Sequence, residues 1–126
     1  MTQGLRDLAM QAAAIAQDAG EHALTDQVTP KDLSSLYSVT RDYSRGLTVD
    51  TQLAQFIYNR LTYIDAFQGR WSDRPEHGAA GDRYWCIGGI DGVINYTRNM
   101  AEWAITISLF EFNEHDVAQP ILGIVH

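Results

Sequence analysis

The apolar residues of this 126-residue chain change their spacing near residue 84, and that change constrains the fold more than any other feature of the sequence. Before it, apolar residues recur every three or four positions, which is the period of an amphipathic helix. After it they alternate with polar residues, as in the run ITISL at 105–109, which is typical of a half-buried strand. Helices followed by strands predict an α+β fold in which two N-terminal helices pack on an antiparallel sheet.

Two helices are predicted in the first half of the chain. The first extends from Gln3 to about Ala23 and carries a narrow stripe of mostly alanine side chains on one face. The second has Asp50 or Thr51 as its N-cap and ends near Tyr63. Both helices are amphipathic, so we expect each to bury one face against the sheet.

The remaining segments are predicted to be strands and turns. The Thr29–Asp32 segment contains Pro30 and predicts a break or a fresh helix start. The aromatic and β-branched residues of 36–47 predict an exposed strand or hairpin. A Gly-, Asp- and Arg-rich surface loop is expected at 68–83. Strands are expected at 84–87, 103–112 and 121–125, with 113–119 joining the last two as an antiparallel hairpin.

Composition excludes several classes of protein. The chain has 16 acidic and 9 basic side chains, so it lacks the positive charge that nucleic-acid binding requires. No run approaches the roughly 18 to 20 apolar residues of a membrane span. The single cysteine, Cys86, cannot form an intrachain disulfide and fits a reducing compartment. We therefore expect one soluble, cytoplasmic domain over residues 1–126 that binds neither nucleic acid nor membrane.

The most distinctive segment is WCIGGIDGVINY at 85–96, followed by the strand at 103–109. It resembles the inositol monophosphatase family of Mg²⁺-dependent phosphomonoesterases, whose signature is W-x-x-D-P-[IL]-D-G-T-x-N-[FY]. Upstream, LTVD at 47–50 and GRWS at 69–72 follow in the family's order, with GRWS in the position of its G-E-E-[SF] loop. The resemblance implies the N-terminal half of the family's layered α/β sugar phosphatase fold, without the C-terminal half.

The resemblance also implies roles for individual residues. In the family, clustered carboxylates hold the Mg²⁺ that neutralises phosphoryl oxygens and lowers the pKa of a bound water. By position, Asp91 and the backbone carbonyl of Ile90 would bind metal, and Asp50 would orient the attacking water. The backbone amides of Gly92 and Val93 would receive the phosphate at the start of a helix.

Four positions depart from the family pattern. Arg70 replaces the glutamate of the G-E-E loop, Gly88 the first aspartate, Gly89 the proline and Val93 the water-orienting threonine. A lost carboxylate and a permanent positive charge both oppose Mg²⁺ binding, which we therefore expect to be weak or lost. The degenerate motif also allows Arg70 to replace a metal ion and hold phosphate directly through its bidentate guanidinium.

Simpler roles stay open for three of these residues. The Asp91-Gly92 pair is also a common turn, Asp50 suits an N-cap, and Arg70 suits a solvated loop. The four histidines are scattered without the spacing of zinc ligands. The distinction between a catalytic site and a structural turn therefore depends on the four positions that differ from the family pattern, which are Arg70, Gly88, Gly89 and Val93.

Three functions stay open. The first is a descendant of Mg²⁺-dependent phosphomonoesterases, acting on inositol phosphate or histidinol phosphate type substrates, whose activity is impaired. The second is a non-catalytic binding or assembly module, and the third is an active phosphatase completed by a second chain or a missing C-terminal segment. The resemblance implies a small phosphorylated metabolite as one partner. A second copy or a partner chain is also expected, because the last apolar strand leaves an uncovered edge.

Overall fold

Two long helices and a four-stranded sheet form the described part of the chain. The computed structural model describes residues 4–28, 39–64 and 69–126. The elements in chain order are α1 (Leu5–Val28), α2 (Val39–Ile64), β1 (Gly69–Arg70), β2 (Arg83–Asp91), α3 (Val93–Thr97), β3 (Ala104–Phe112) and β4 (Ala118–Val125). Within these ranges no helix is both long and apolar enough to cross a membrane. The predicted α+β class, with two N-terminal helices, is confirmed.

The strands are ordered β1-β2-β3-β4 across the sheet. The β2–β3 and β3–β4 pairs are antiparallel, as predicted, whereas β1 pairs parallel with the start of β2 and makes the sheet mixed. The predicted hairpin between the last two strands is also confirmed. Its turn is closed by Asn113, whose Oδ1 accepts the backbone N–H groups of His115 and Val117.

Both helices contribute to one hydrophobic core against the sheet. On β3, Ile105, Ile107 and Leu109 are each at most 1% exposed and alternate with half-buried neighbours, so one face of the strand points into the core. The core side of α1 consists mainly of buried alanines, whose short side chains allow the helix backbone to lie close to the sheet. The bulkiest buried side chain is that of Trp85 on β2.

The second helix begins earlier than the sequence predicted. The strand or hairpin expected at 36–47 is wrong over residues 39–47, which are helical, and residues 36–38 lie outside the described part of the chain. Val39, Tyr43 and Leu47 recur every four positions, a helical spacing that their β propensity obscured. The break or fresh helix start expected at Thr29–Asp32 also lies outside the described residues.

The segment before and within β2 differs from its prediction in two ways. The loop expected at 68–83 contains the two-residue strand β1, in which Gly69 pairs with Tyr84 and Arg70 with Trp85. A single 3₁₀ turn, Trp71–Asp73, follows it. The strand expected to end at residue 87 instead continues to Asp91 through an irregularity in its pairing with β3. This continuation brings the motif residues to one end of the sheet.

Candidate functional site

The residues singled out by the motif lie where β2 ends and α3 begins. Asp91 is the last residue of β2 and is exposed, and Gly92 follows as the N-cap of α3 with φ of 92°. A β-carbon at Gly92 would lie 2.9 Å from the Glu102 carbonyl oxygen and 3.4 Å from Trp103. Glycine is therefore required both by the positive φ and by the space at this strand–turn–helix junction.

A β-bulge at Gly88 and Gly89 precedes the junction. The pairing of β2 with β3 shifts between Ile87 and Gly89, and Gly89 has φ of 59°. A β-carbon at Gly88 would collide with the Thr106 side chain, and one at Gly89 with the Asp50 carboxylate. Because proline fixes φ near −65°, it cannot occupy position 89 in this backbone. The backbone at these two positions therefore does not accommodate the Asp-Pro pair of the signature that the segment resembles.

Asp50 reaches this bulge from the interior of α2. Its Oδ1 accepts the backbone N–H of Ile90 at 2.6 Å, a contact between residues 40 positions apart in the chain. One turn earlier in α2, Gly46 lies against the side chains of Val93 and Thr97 of α3. Since α2 begins at Val39, neither Asp50 nor Thr51 is an N-cap, and that prediction is wrong. One face of α2 therefore supports the bulge and the start of α3 together.

The backbone of Ile90 points its polar groups away from β3. Ile105, its partner on β3, exchanges both backbone hydrogen bonds with His126, each at 2.9 Å, so Ile105 is bonded toward β4. In an antiparallel ladder the N–H and C=O of one residue lie on the same side. The Ile90 carbonyl therefore lies on the side of the strand where Asp50 receives the Ile90 N–H. Asp50, Ile90, Asp91 and the Gly92–Val93 amides are thus brought together.

Arg70 lies at the other end of β2. It pairs with Trp85, six positions before Asp91, which corresponds to roughly 16 to 20 Å along a strand. Its Nε donates to Asp73 Oδ2 at 3.1 Å, and its guanidinium carbon lies 4.4 Å from the centre of the Tyr58 ring. The guanidinium therefore already has a carboxylate and an aromatic partner, and the structure does not bring it to the turn at Asp91.

The α3 side of the turn is tied to the first helix by contacts that sequence reasoning did not anticipate. The Tyr96 hydroxyl is 2.8 Å from the Ala23 carbonyl oxygen and 2.9 Å from Asp26 Oδ2. Burial, and then the hydrogen bond and negative charge of Asp26, hold the pKa of Tyr96 well above its ordinary value. The Asn-Tyr pair of the motif was the available signal, but nothing in the spacing indicated its α1 partners.

Two amides complete this anchorage. Gln27 Nε2 donates to the carbonyls of Tyr96 and Met100 at 3.0 and 3.1 Å, and its Oε1 accepts the Trp103 indole N–H at 3.3 Å. Asn95 Nδ2 donates to the Glu102 carbonyl at 2.8 Å and so closes the loop that follows α3. Side chains of α1 and α3 therefore fix the backbone on which Gly92 and Val93 are placed.

The residues at the turn do not fit a magnesium site. Mg²⁺ requires near-octahedral oxygen coordination, usually with carboxylates from more than one position. Across residues 4–28, 39–64 and 69–126, no three His, Cys, Asp or Glu side chains are grouped so that they could hold a metal ion. At the turn itself Gly88 supplies no carboxylate, and the Asp50 carboxylate is bonded to a backbone N–H.

A separate open groove of about 330 Å³ lies between the second half of α1, the loop after α3 and the end of β4. Leu24, Ala101 and Trp103 supply apolar walls, and Glu21, Asn99 and His126 add polar groups. None of the candidate metal- or phosphate-binding residues lines it. Gln27 and Trp103, which do line it, also support the loop after α3, so the groove lies beside the contacts that anchor the turn.

Comparison with known proteins gives the fold a precedent. No family model and no curated protein matches the sequence. Among solved structures, an inositol monophosphatase from Zymomonas mobilis matches 99% of this chain and 45% of its own, with 22% identity and a TM-score of 0.66. The match to the SuhB extragenic suppressor protein of Bartonella henselae covers 99% of this chain and 44% of that chain, with 17% identity and a TM-score of 0.60. The match to inositol monophosphatase II of Staphylococcus aureus covers 94% of this chain and 48% of that chain, with 17% identity and a TM-score of 0.58.

These matches confirm the predicted resemblance at the level of the fold. Nearly all of the described architecture has a counterpart in each of the three structures, whereas this chain spans less than half of their length. At identities of 17 to 22% the similarity concerns the arrangement of helices and strands. The chain therefore has the fold of about half of an inositol monophosphatase.

Proposed function

We propose that this chain belongs to the inositol monophosphatase family and descends from Mg²⁺-dependent phosphomonoesterases, but hydrolyses phosphomonoesters poorly or not at all. The proposal treats residues 1–126 as one domain that acts in the cytoplasm. It combines the shared fold with the signature-like segment at 85–96. The ancestral substrates would be of the inositol phosphate or histidinol phosphate type.

The observation that carries the impairment is the bulge at Gly88 and Gly89. The family signature has an aspartate and a proline at these positions, and the aspartate binds metal. Here a side chain at Gly88 would collide with Thr106, and the φ of 59° at Gly89 excludes proline. Restoring the family residues would therefore require a different course of the backbone, so the loss of the carboxylate goes together with a remodelled strand.

The polar groups present at the β2–α3 turn support at most weak binding of Mg²⁺ and phosphate. We propose Asp91 and the Ile90 carbonyl as the remaining metal ligands, and the Gly92 and Val93 amides as contacts for a phosphate group of a small metabolite. A single carboxylate leaves most of the coordination of Mg²⁺ to water, so its affinity is low or lost. Asp50 binds the Ile90 N–H through Oδ1 at 2.6 Å, so it would orient a water through Oδ2.

Arg70 is a second residue that we propose as a phosphate contact. Its guanidinium can hold phosphate through a bidentate pair of hydrogen bonds. Because Asp73 accepts from Nε at 3.1 Å, a phosphate would bind the two Nη groups or displace that carboxylate. We therefore place any anion contact of Arg70 at the β1 end of the sheet, apart from the Gly92 and Val93 amides.

Phosphate release tests the impairment directly. The chain is incubated with inositol phosphate, histidinol phosphate or a nucleotide bisphosphate, each with and without Mg²⁺. We expect no Mg²⁺-dependent turnover. Turnover that disappears in Asp91→Asn but persists in Glu114→Gln, a matched loss of one exposed carboxylate, would contradict the proposal and favour an active phosphatase.

A second candidate function is assembly. β4 lies at the edge of the sheet, and residues 117–125 contain no charged side chain to discourage pairing with another strand. We propose that a second copy or a partner chain covers this strand. If a partner instead supplies the rest of the fold, activity should appear only in the complex, which the same phosphate-release assay would detect.

A further inference from the structure

The two glycines of the bulge exclude a side chain for different reasons. Gly89 has a φ of 59°, which other residues adopt only with strain, and no substitution elsewhere in the chain would remove that cost. Gly88 does not have a positive φ, and it is exposed. The backbone at position 88 therefore allows a side chain, and the space around it decides whether one fits.

The space at Gly88 is taken by one residue of the neighbouring strand. A β-carbon added at Gly88 would overlap Thr106 Oγ1. The next two nearest atoms also belong to Thr106, its β-carbon at 3.2 Å and its carbonyl oxygen at 3.3 Å, and these contacts need a shift of only a few tenths of an ångström. The Thr106 side chain is therefore the main obstacle to a carboxylate at position 88.

The β-bulge explains why Thr106 lies over Gly88. Before the bulge Ile87 is opposite Ile107. The register then shifts, so that Gly89 is opposite Thr106 and Gly88 is skipped in the pairing. Two residues of β2 thus face one residue of β3, as is usual in a bulge. Because Thr106 is β-branched, its χ1 angle is restricted and its hydroxyl cannot turn freely away from Gly88.

We propose that Thr106 is, together with Gly88, a determinant of the weak or lost Mg²⁺ binding, because its side chain keeps a carboxylate out of position 88. In the signature that residues 85–96 resemble, this position carries the first of two aspartates, and only the second, Asp91, is present here. Mg²⁺ prefers carboxylate oxygens as ligands, so a second carboxylate strengthens its binding. A carboxylate at position 88 therefore contributes only when residue 106 is smaller. The inference rests on the proposed descent from Mg²⁺-dependent phosphomonoesterases and adds to it a position outside the signature segment.

Urea unfolding of Gly88→Ala, Thr106→Ala and the double variant tests the steric part of the proposal. In the presence of Thr106, Gly88→Ala should raise the equilibrium constant for unfolding about tenfold or more, because overpacking forces neighbouring atoms apart. With alanine at position 106, the same substitution should raise it less than about threefold. Ser108→Ala removes a hydroxyl elsewhere on β3 and is the matched control, which should leave the effect of Gly88→Ala unchanged. Equal effects of Gly88→Ala in all three backgrounds overturn the proposal.

Titration with Mg²⁺ alone tests the link to metal binding, followed by the backbone amide NMR signals of Asp91 and Gly92. Gly88→Asp combined with Thr106→Ala should bind Mg²⁺ about tenfold more tightly than wild type, and more tightly than Gly88→Asp alone. Adding Asp91→Asn should remove this gain. The proposal is overturned if the combined variant binds Mg²⁺ no better than wild type, because Thr106 would then affect packing alone. It is also overturned if Gly88→Asp binds Mg²⁺ as tightly as the combined variant.

Circular dichroism shows whether each variant is folded before its affinity is interpreted. If Gly88→Asp does not fold, the combined variant is compared with wild type and the alanine variants still measure the coupling between positions 88 and 106. None of these measurements uses a phosphomonoester. An active wild-type chain in the phosphate-release assay would therefore contradict the proposed function without changing the measured coupling.

Discussion

The two sides of the β2–α3 turn are built differently. On the α3 side, Gly92, Asn95 and Tyr96 match the inositol monophosphatase signature, and each has a structural duty: a positive φ, a loop closure or an anchor to α1. On the bulge side, Gly88 and Gly89 replace the signature's aspartate and proline. The positions that support the backbone thus match the signature, whereas of its two aspartates only Asp91 is present and Gly88 stands in place of the other.

The bulge side nevertheless has a defined structure of its own. Asp50 accepts the Ile90 N–H, and glycine at position 89 leaves room for that carboxylate. The comparison therefore teaches that the bulge side, although it lacks the signature's first carboxylate, is packed as specifically as the α3 side. Substitutions on each side of the turn should show how much of the free energy of unfolding depends on that side.

Gly89→Pro should have the largest effect. Proline cannot adopt the φ of 59° found at this position, so we expect a loss of about 3 kcal/mol or more in the free energy of unfolding, measured with urea and circular dichroism. Gly123→Ala, where no atom lies within 4 Å of the added β-carbon, should change stability by less than about 1 kcal/mol. Wild-type stability in Gly89→Pro would show that the family's Asp-Pro geometry is accessible here.

Asp50→Ala should follow in size. It leaves the Ile90 N–H without its charged acceptor, and we expect a loss of about 1.5 to 3 kcal/mol in unfolding free energy. Asp50→Asn keeps an oxygen acceptor and should lose less. Glu21→Ala removes an exposed carboxylate from α1 and serves as the control. Equal losses in Asp50→Ala and Asp50→Asn would argue against the hydrogen bond as the cause.

Tyr96→Phe tests the α3 side. Removing the hydroxyl breaks the contacts with Ala23 and Asp26, and we expect a loss of about 1 to 2 kcal/mol near neutral pH. Tyr63→Phe, at a side chain that is 91% exposed, should lose little. A loss in Tyr96→Phe no larger than in this control would remove the hydroxyl from the account of how α1 holds the turn.

The stabilisation by Tyr96 should also depend on pH in a defined direction. The folded chain holds the pKa of Tyr96 well above the ordinary 10.0, so folding favours the neutral hydroxyl. The contribution is therefore complete below pH 10 and is lost as the pH rises above it, where the unfolded chain releases the proton first. Urea unfolding between pH 8 and 11 should show wild type approaching Tyr96→Phe only at the alkaline end.

Elements that depend on residues close together in the sequence were predictable, whereas contacts between residues far apart in the sequence were not. The alternation at 105–109 is local and predicted β3 and its hairpin correctly. The strand predicted at 36–47 is wrong over residues 39–47, because the four-residue spacing of Val39, Tyr43 and Leu47 outweighs the β propensity of the β-branched and aromatic residues there. The resemblance placed Asp50 at the site, but the hydrogen-bond partners of Asp50 and Tyr96 could not be predicted. Those partners are 40 and about 70 residues away in the chain and depend on how α1 and α2 pack.

Arg70→Gln should have the smallest effect, because Arg70 lies away from both sides of the turn. Its ion pair with Asp73 is exposed, so we expect at most about 1 kcal/mol in unfolding free energy. Asp73→Asn is the matched partner variant and, if Arg70 binds anions, should raise the affinity for phosphate followed by the indole NMR signal of Trp71. A loss well above 1 kcal/mol in Arg70→Gln would instead place Arg70 among the residues that hold the sheet together. Arg70 would then belong with the structural residues of the α3 side rather than with the altered chemical positions.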